Sequence, residues 1–181
     1  MIGLGHLVGI LFIPFKGFIE KRQQKIVQKY LKDPNSISDS EKHMILKDLA
    51  WKEYNAGNFE VAEKYSRELL RINNVIEENW NHGNAIHHAH TIIGLVRFDD
   101  EDIDSAKNHL VKSSKTTGSP QLDSFGPTFL LAQKMVEAGE SESCEKFLKN
   151  CSQFWKMDNG RIAEWLKEIE RGEIPQMYEY Q

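Results

Sequence analysis

The chain has 181 residues, 40% of them hydrophobic and 28% charged, and a formal net charge of −4. That is enough apolar material for one compact domain or a short repeat array, and with only 5 prolines it excludes a largely disordered chain. The average charge hides an asymmetry: residues 1–32 carry Lys16, Lys21, Arg22, Lys25, Lys29 and Lys32 against Glu20 alone, a net of +5 that leaves −9 for the remainder, and a body that acidic repels phosphate and excludes nucleic acid as the expected partner.

The first expected element is the run Ile2–Phe15, uncharged apart from His6. Fourteen helical residues reach about 21 Å, short of a bilayer core of roughly 30 Å. No basic region precedes the run and no small-residue cleavage site follows it, so a secretory signal fits poorly. Two expectations compete. In one, Ile2, Leu4, Leu7, Ile10, Leu11, Phe12 and Phe15 contact a membrane, with Lys16, Lys21 and Arg22 on a cytoplasmic, anionic surface. In the other, the segment is a soluble helix that covers the end of a helical stack or sits in a partner's groove. Gly3, Gly5, Gly9, Pro14 and Gly17 weaken the soluble helix more than the anchor. Localisation is expected in the cytoplasm, at the inner face of the cytoplasmic membrane if the anchor holds.

Asp33-Pro34-Asn35 breaks the chain, and Ser38 with Glu41 forms a capping box for the next helix. Ile45, Leu46, Leu49, Ala50 and Tyr54 recur on that helix at helical spacing, and Gly57 ends it. Phe59, Ala62, Tyr65, Leu69 and Leu70 stripe its successor; the tight joint Ala56–Phe59 makes the two antiparallel. The arrangement recurs with Gly94, the acidic turn Asp99–Asp102, then Ile103, Ala106 and Leu110. It recurs again with Leu131, Ala132, Met135 and Val136, a turn at Gly139-Glu140, then Cys144, Phe147 and Leu148. The small residues Ala62, Ala106 and Cys144 let paired helices approach closely. Their separations of 44 and 38 residues exceed the usual repeat of about 34 and place extra loop at 73–84 and 116–126. A helix with Ile162, Trp165, Leu166 and Ile169 caps the stack and stops at Gly172. The expected architecture is all-α: a tetratricopeptide-like stack of about three antiparallel helical hairpins with a C-terminal cap and an extra N-terminal helix. Residues 1–34 form the N-terminal segment, 35–174 the repeat domain and 175–181 a loosely held tail. Cys144 and Cys151, seven residues apart on one helix, lie about 10 Å from each other, too far to bridge within it.

The segments GNAIHHAHTIIG (Gly83–Gly94), TGSPQLDSFGP (Thr117–Pro127), AGE (Ala138–Glu140) and FW (Phe154–Trp155) resemble a family of bacterial tetratricopeptide-like proteins of unestablished activity. The resemblance covers Asn84–Trp155, and its most specific part is GSPQLDSFGP. It implies an α-helical repeat fold and no reaction.

The candidate sites follow from chemistry. His82, His87, His88 and His90 cluster, and His87 and His90 share a helix face at i,i+3, a spacing that can present two imidazoles to a metal, with His82 as a third ligand. The competing readings pack one or two of these histidines at a hairpin interface, donating hydrogen bonds to the long loop, or present His87 and His90 as partner-binding or pH-sensitive contacts. The loop Gly118–Pro127 is either a structural plug, anchored by Leu122 and Phe125, or the lip of a groove presenting Ser119, Gln121 and Ser124. Ser124 or Gly126 is placed to cap the helix after it, with Pro127 in that helix's first turn. Trp80, in a polar stretch, is expected to be an exposed contact, whereas most other aromatics are expected in the core. Asp99–Asp102 lacks the ligand spacing of a calcium loop and suits a solvated turn and helix start. No phosphate loop, paired-carboxylate or nucleophile motif is present, and no cofactor is expected. The expected function is a non-catalytic interaction scaffold or adaptor for a protein or peptide partner. The alternatives are a subunit of a membrane complex docked through its N-terminal helix, and a metal- or small-molecule-binding protein using His87 and His90.

Overall fold

The computed structural model describes residues 21–76 and 80–177, and every regular element among them is helical. Two compact units divide at Ile45/Leu46. The described part of the first unit begins with α1, residues 21–32. Lys21, Arg22, Lys25, Lys29 and Lys32 are exposed on it, while Ile26 and Tyr30, four apart, are buried. Pro34–Ser36 is a single 3-10 turn, its first amide end capped by Asp33. Helix α2, Asp39–Asn55, then starts from the expected capping box: Glu41 Oε2 accepts from the Ser38 amide at 2.9 Å, and Ser38 Oγ accepts from the Glu41 amide at 3.3 Å.

The second unit contains the remaining helices: α3 Phe59–Asn73, α4 His82–Asp99, α5 Ile103–Ser113, α6 Pro120–Phe125, α7 Leu130–Glu137, α8 Ser141–Phe154 and α9 Arg161–Glu170. Cross-helix partners define their directions. His87 meets Ser113, His90 meets His109, and Gly94 lies beside Ala106, so α4 and α5 run antiparallel. Glu63 meets Arg97 while Asn73 meets His82, so α3 and α4 are antiparallel as well. Ala62, Ala106 and Cys144 are all fully buried. The Cys144 thiol donates to the Ala132 carbonyl at 3.1 Å, bringing α8 against α7. Both cysteines are free, and burial pushes the Cys144 thiol up to about 12, which leaves it an inert packing group.

The main core joins α5, α7, α8 and α9 around Phe129, whose ring packs on Phe147, Trp155 and Trp165 at centroid distances of 6.0, 5.4 and 4.9 Å. Ile162, Trp165 and Ile169 bury the expected stripe of the capping helix. The acidic turn is tied on both sides: Asp102 caps α5 through the Ser105 amide, and Asp99 accepts from the Tyr54 hydroxyl at 2.8 Å and from Lys134 at 3.1 Å.

Three local expectations need correction. The Gly118–Pro127 segment is not a plain loop, because Ser119 and Pro120 start the short helix α6 within it. Neither Ser124 nor Gly126 caps the following helix: α7 begins at Leu130, beyond Pro127, with no side-chain cap. The tail is held up to Met177, which is fully buried and whose amide donates to Gln133 Oε1 at 2.7 Å. Gln133, itself buried on α7, supplies an acceptor that would otherwise face the core unsatisfied.

Candidate functional site: a fixed lip and an aromatic groove

The segment between α5 and α7 is tied to the interior along its length. Ser119 Oγ accepts from the Leu122 amide at 3.1 Å as the cap of α6 and donates to Asn84 Oδ1 at 2.9 Å. Asn84 Nδ2 in turn donates to Gln121 Oε1 at 3.0 Å. Leu122 is buried, and the Asp123 carbonyl accepts from the amides of Lys156 and Met157. Gly126, at φ +82°, lies so close to the Trp155 ring that a Cβ there would sit 2.6 Å from it. The Thr128 amide donates to His87 Nε2 at 2.9 Å. Replacing Ser119 with Ala should cost about 1 kcal/mol, as loss of a helix cap does, measured by urea unfolding; a variant as stable as the parent would contradict the capping role.

His87 is the deepest of these anchors. Because Nε2 accepts from Thr128, the ring proton is on Nδ1 and donates to the Ser113 carbonyl at 3.0 Å. Burial drives its pKa down to about 4 against a smaller opposing effect of that carbonyl, so the ring is neutral near pH 7. Both nitrogens are therefore spent, which removes His87 from any metal site. His90 turns elsewhere, toward His109, with 3.0 Å between their Nδ1 atoms. His82 lies by Asn73, which donates to its backbone carbonyl at 3.4 Å. The i,i+3 spacing thus does not converge on one ion, and among the described residues no group of three or more His, Cys, Asp and Glu side chains does.

On this tethered segment one large side chain points outward. Phe125 is 80% exposed, although its spacing in the sequence suggested an anchor. Beside it lies a groove of about 490 Å³ lined by Trp51, Asn55, His88, Phe125, Thr128 and Leu130, with Gly126 and Pro127 as its edge. The Trp51 indole N–H donates to His88 Nδ1 at 3.2 Å, fixing two lining rings against each other. Burial holds His88 well below the usual histidine range. The groove is therefore aromatic and uncharged, with Asn55 and Thr128 as polar groups along it.

The other predicted contact residues are scattered. Trp80 is 64% exposed. Ser119 is buried and committed to Asn84 and α6; Gln121 and Ser124 are on the exposed side of α6. Lys21 and Arg22 are exposed on α1, while Ile2, Leu4, Leu7, Ile10, Leu11, Phe12, Phe15 and Lys16 lie outside the described residues. Among the described residues no helix is long and apolar enough to cross a membrane. Sequence reasoning missed Trp51 and Leu130 as groove residues and His109 as the partner of His90, since these are brought in from other helices, and it missed Thr128, which lies in the non-helical stretch just past Pro127. No protein-family model, curated protein or solved structure matches the chain.

Proposed function

We propose that this chain is a non-catalytic interaction scaffold of tetratricopeptide-like build, which takes an apolar or aromatic side chain of a peptide partner into the groove beside Phe125. Successive antiparallel helices with Ala62, Ala106 and Cys144 buried between them support the repeat-like reading. The observation that carries the functional reading is Phe125 itself: a side chain 80% exposed on a segment whose neighbours are fixed to the interior. Because the backbone that carries it is already fixed, binding needs to order only the ring's own side-chain torsions. Covering it releases about 1.5–3 kcal/mol of apolar transfer energy, the scale of an interface anchor.

Selection of displayed peptides on the full chain tests this. Peptides sharing an apolar anchor should be enriched on the parent protein and bind Phe125→Ser at least tenfold more weakly, while thermal melting is unchanged because the side chain is exposed. Equal capture by both proteins would overturn the assignment.

A further inference from the structure

His90 on α4 and His109 on α5 face each other across the hairpin, their Nδ1 atoms 3.0 Å apart and their rings 5.1 Å apart between centroids. Both rings are half-buried, so solvent reaches them. Neither residue contributes to the groove or to the anchoring of its lip.

We propose that His90 and His109 chelate one divalent transition-metal ion through Nδ1, water filling the remaining positions. Metal–imidazole bonds are about 2.0–2.1 Å long. Two such bonds at a right angle place their nitrogens about 2.9 Å apart, whereas a tetrahedral angle places them about 3.4 Å apart. The 3.0 Å separation therefore matches adjacent positions of a square-planar or octahedral ion. Without metal, the same separation lets the two rings share one hydrogen bond. Metal replaces that bridge: the ring whose proton lies on Nδ1 moves it to Nε2, and both remain neutral.

Charged groups from three helices surround the pair. Arg67 and Glu63 approach from α3, Arg97 from α4 and Lys112 from α5. Glu63 is occupied by Arg67 and Arg97: burial would raise its carboxyl, but those two guanidiniums outweigh that and hold it low. With no carboxylate to spare, calcium and magnesium are disfavoured, because they need oxygen ligands; the net positive charge nearby opposes every divalent ion alike, so only strong nitrogen coordination offsets it. Two neutral imidazoles instead suit the nitrogen-preferring end of the Irving–Williams series, copper(II) above nickel(II) and zinc. Burial also lowers both histidines to about 4, so they stay unprotonated and able to ligate near neutral pH.

The test titrates copper(II) chloride into untagged full-length protein at pH 7.5, read by electron paramagnetic resonance and by broadening of the histidine ring signals in NMR. The expected result is one equivalent bound with two imidazole nitrogens coupled to copper, the His90 and His109 signals broadening first. His109→Gln should lose that signature and bind at least tenfold more weakly. Copper broadening other histidines first, or equal affinity in the folded variant, would overturn the proposal. The NMR reading on the parent protein decides even if the variant does not fold. A failure here leaves the Phe125 groove untouched, since the two sites share no residue.

Discussion

Replacing His87 with Ala lowers the free energy of unfolding at pH 7.5 by about 3–5 kcal/mol. The substitution deletes a fully buried ring, leaves the Ser113 carbonyl without its imidazole donor and takes the acceptor away from the Thr128 amide. Each lost buried hydrogen bond costs about 1–3 kcal/mol when a polar group is left behind, and the cavity adds to that. His87 also gives the parent protein a pH dependence of definite sign. Its folded pKa of about 4 lies below the ordinary histidine value of 6.5. Between those values the unfolded chain binds a proton that the folded chain refuses, so stability falls as pH falls through that window. The contribution is fully present above pH 6.5 and is lost by about pH 4, a difference of about 3 kcal/mol. His90 and His109 shift in the same direction and add to the slope. Urea unfolding at pH 7.5 and pH 4.5 should show a smaller acid loss for His87→Ala than for the parent. An equal loss in both would mean that His87 is not the buried neutral strut described above.

Gly83→Ala should destabilise by about 3 kcal/mol, lowering the melting temperature by about 6–12 °C for a chain of this size. Gly83 lies in the first turn of α4, where Ala would ordinarily be favoured by up to about 1 kcal/mol. Packing decides otherwise. A Cβ at this position would lie 2.1 Å from the Gly118 carbonyl oxygen, 2.8 Å from its carbon and 2.6 Å from Thr116 Oγ1. Two of these are backbone atoms and cannot rotate away, so the start of α4 or the strap leading into α6 must move. Gly94 makes an instructive contrast: its closest obstacle is the tip of the Leu131 side chain at 2.3 Å, which can choose another rotamer. Gly57 has φ +78° and nothing within 4 Å, so Ala there pays only the backbone cost of about 1–2 kcal/mol. Thermal melts that place Gly83→Ala at or above Gly57→Ala would contradict the close packing of α4 on the strap.

The helices were legible because their signals are local. Ser38 and Glu41 announce α2, Gly57 ends the turn after it, and the stripe Ile162–Trp165–Ile169 identifies α9 without reference to any other segment. Helix α6 was missed because six residues are too few for periodicity to show, although Ser119 followed by Pro120 is a helix-start signal in its own right. Burial of single residues was harder still. Phe125 reads as an anchor by composition, and only the fixed path from Leu122 to Gly126 turns it outward. Met177 reads as a loose tail, yet its side chain is buried in the main core and its amide is held by Gln133, 44 positions away. Of the expected segment Gly118–Pro127, only Phe125, Gly126 and Pro127 line the groove, and the side chains expected to be presented there, Ser119, Gln121 and Ser124, do not. The groove's other side, Trp51 and His88, and the pairing of His90 with His109 depend on which helices meet, which spacing along one helix does not encode.

The central claim is that the groove beside Phe125 is the face that receives a partner. A nitrogen-15 NMR titration of the full chain with the peptide of highest affinity from the selection tests it most directly. The indole N–H of Trp51, now hydrogen-bonded to His88 Nδ1, and the amides of Thr128 and Leu130 should shift saturably with one common dissociation constant, while the Cys151 amide, buried on α8, should stay in place. Shifts confined to other helices, with the Trp51 indole unmoved at saturation, would contradict the account.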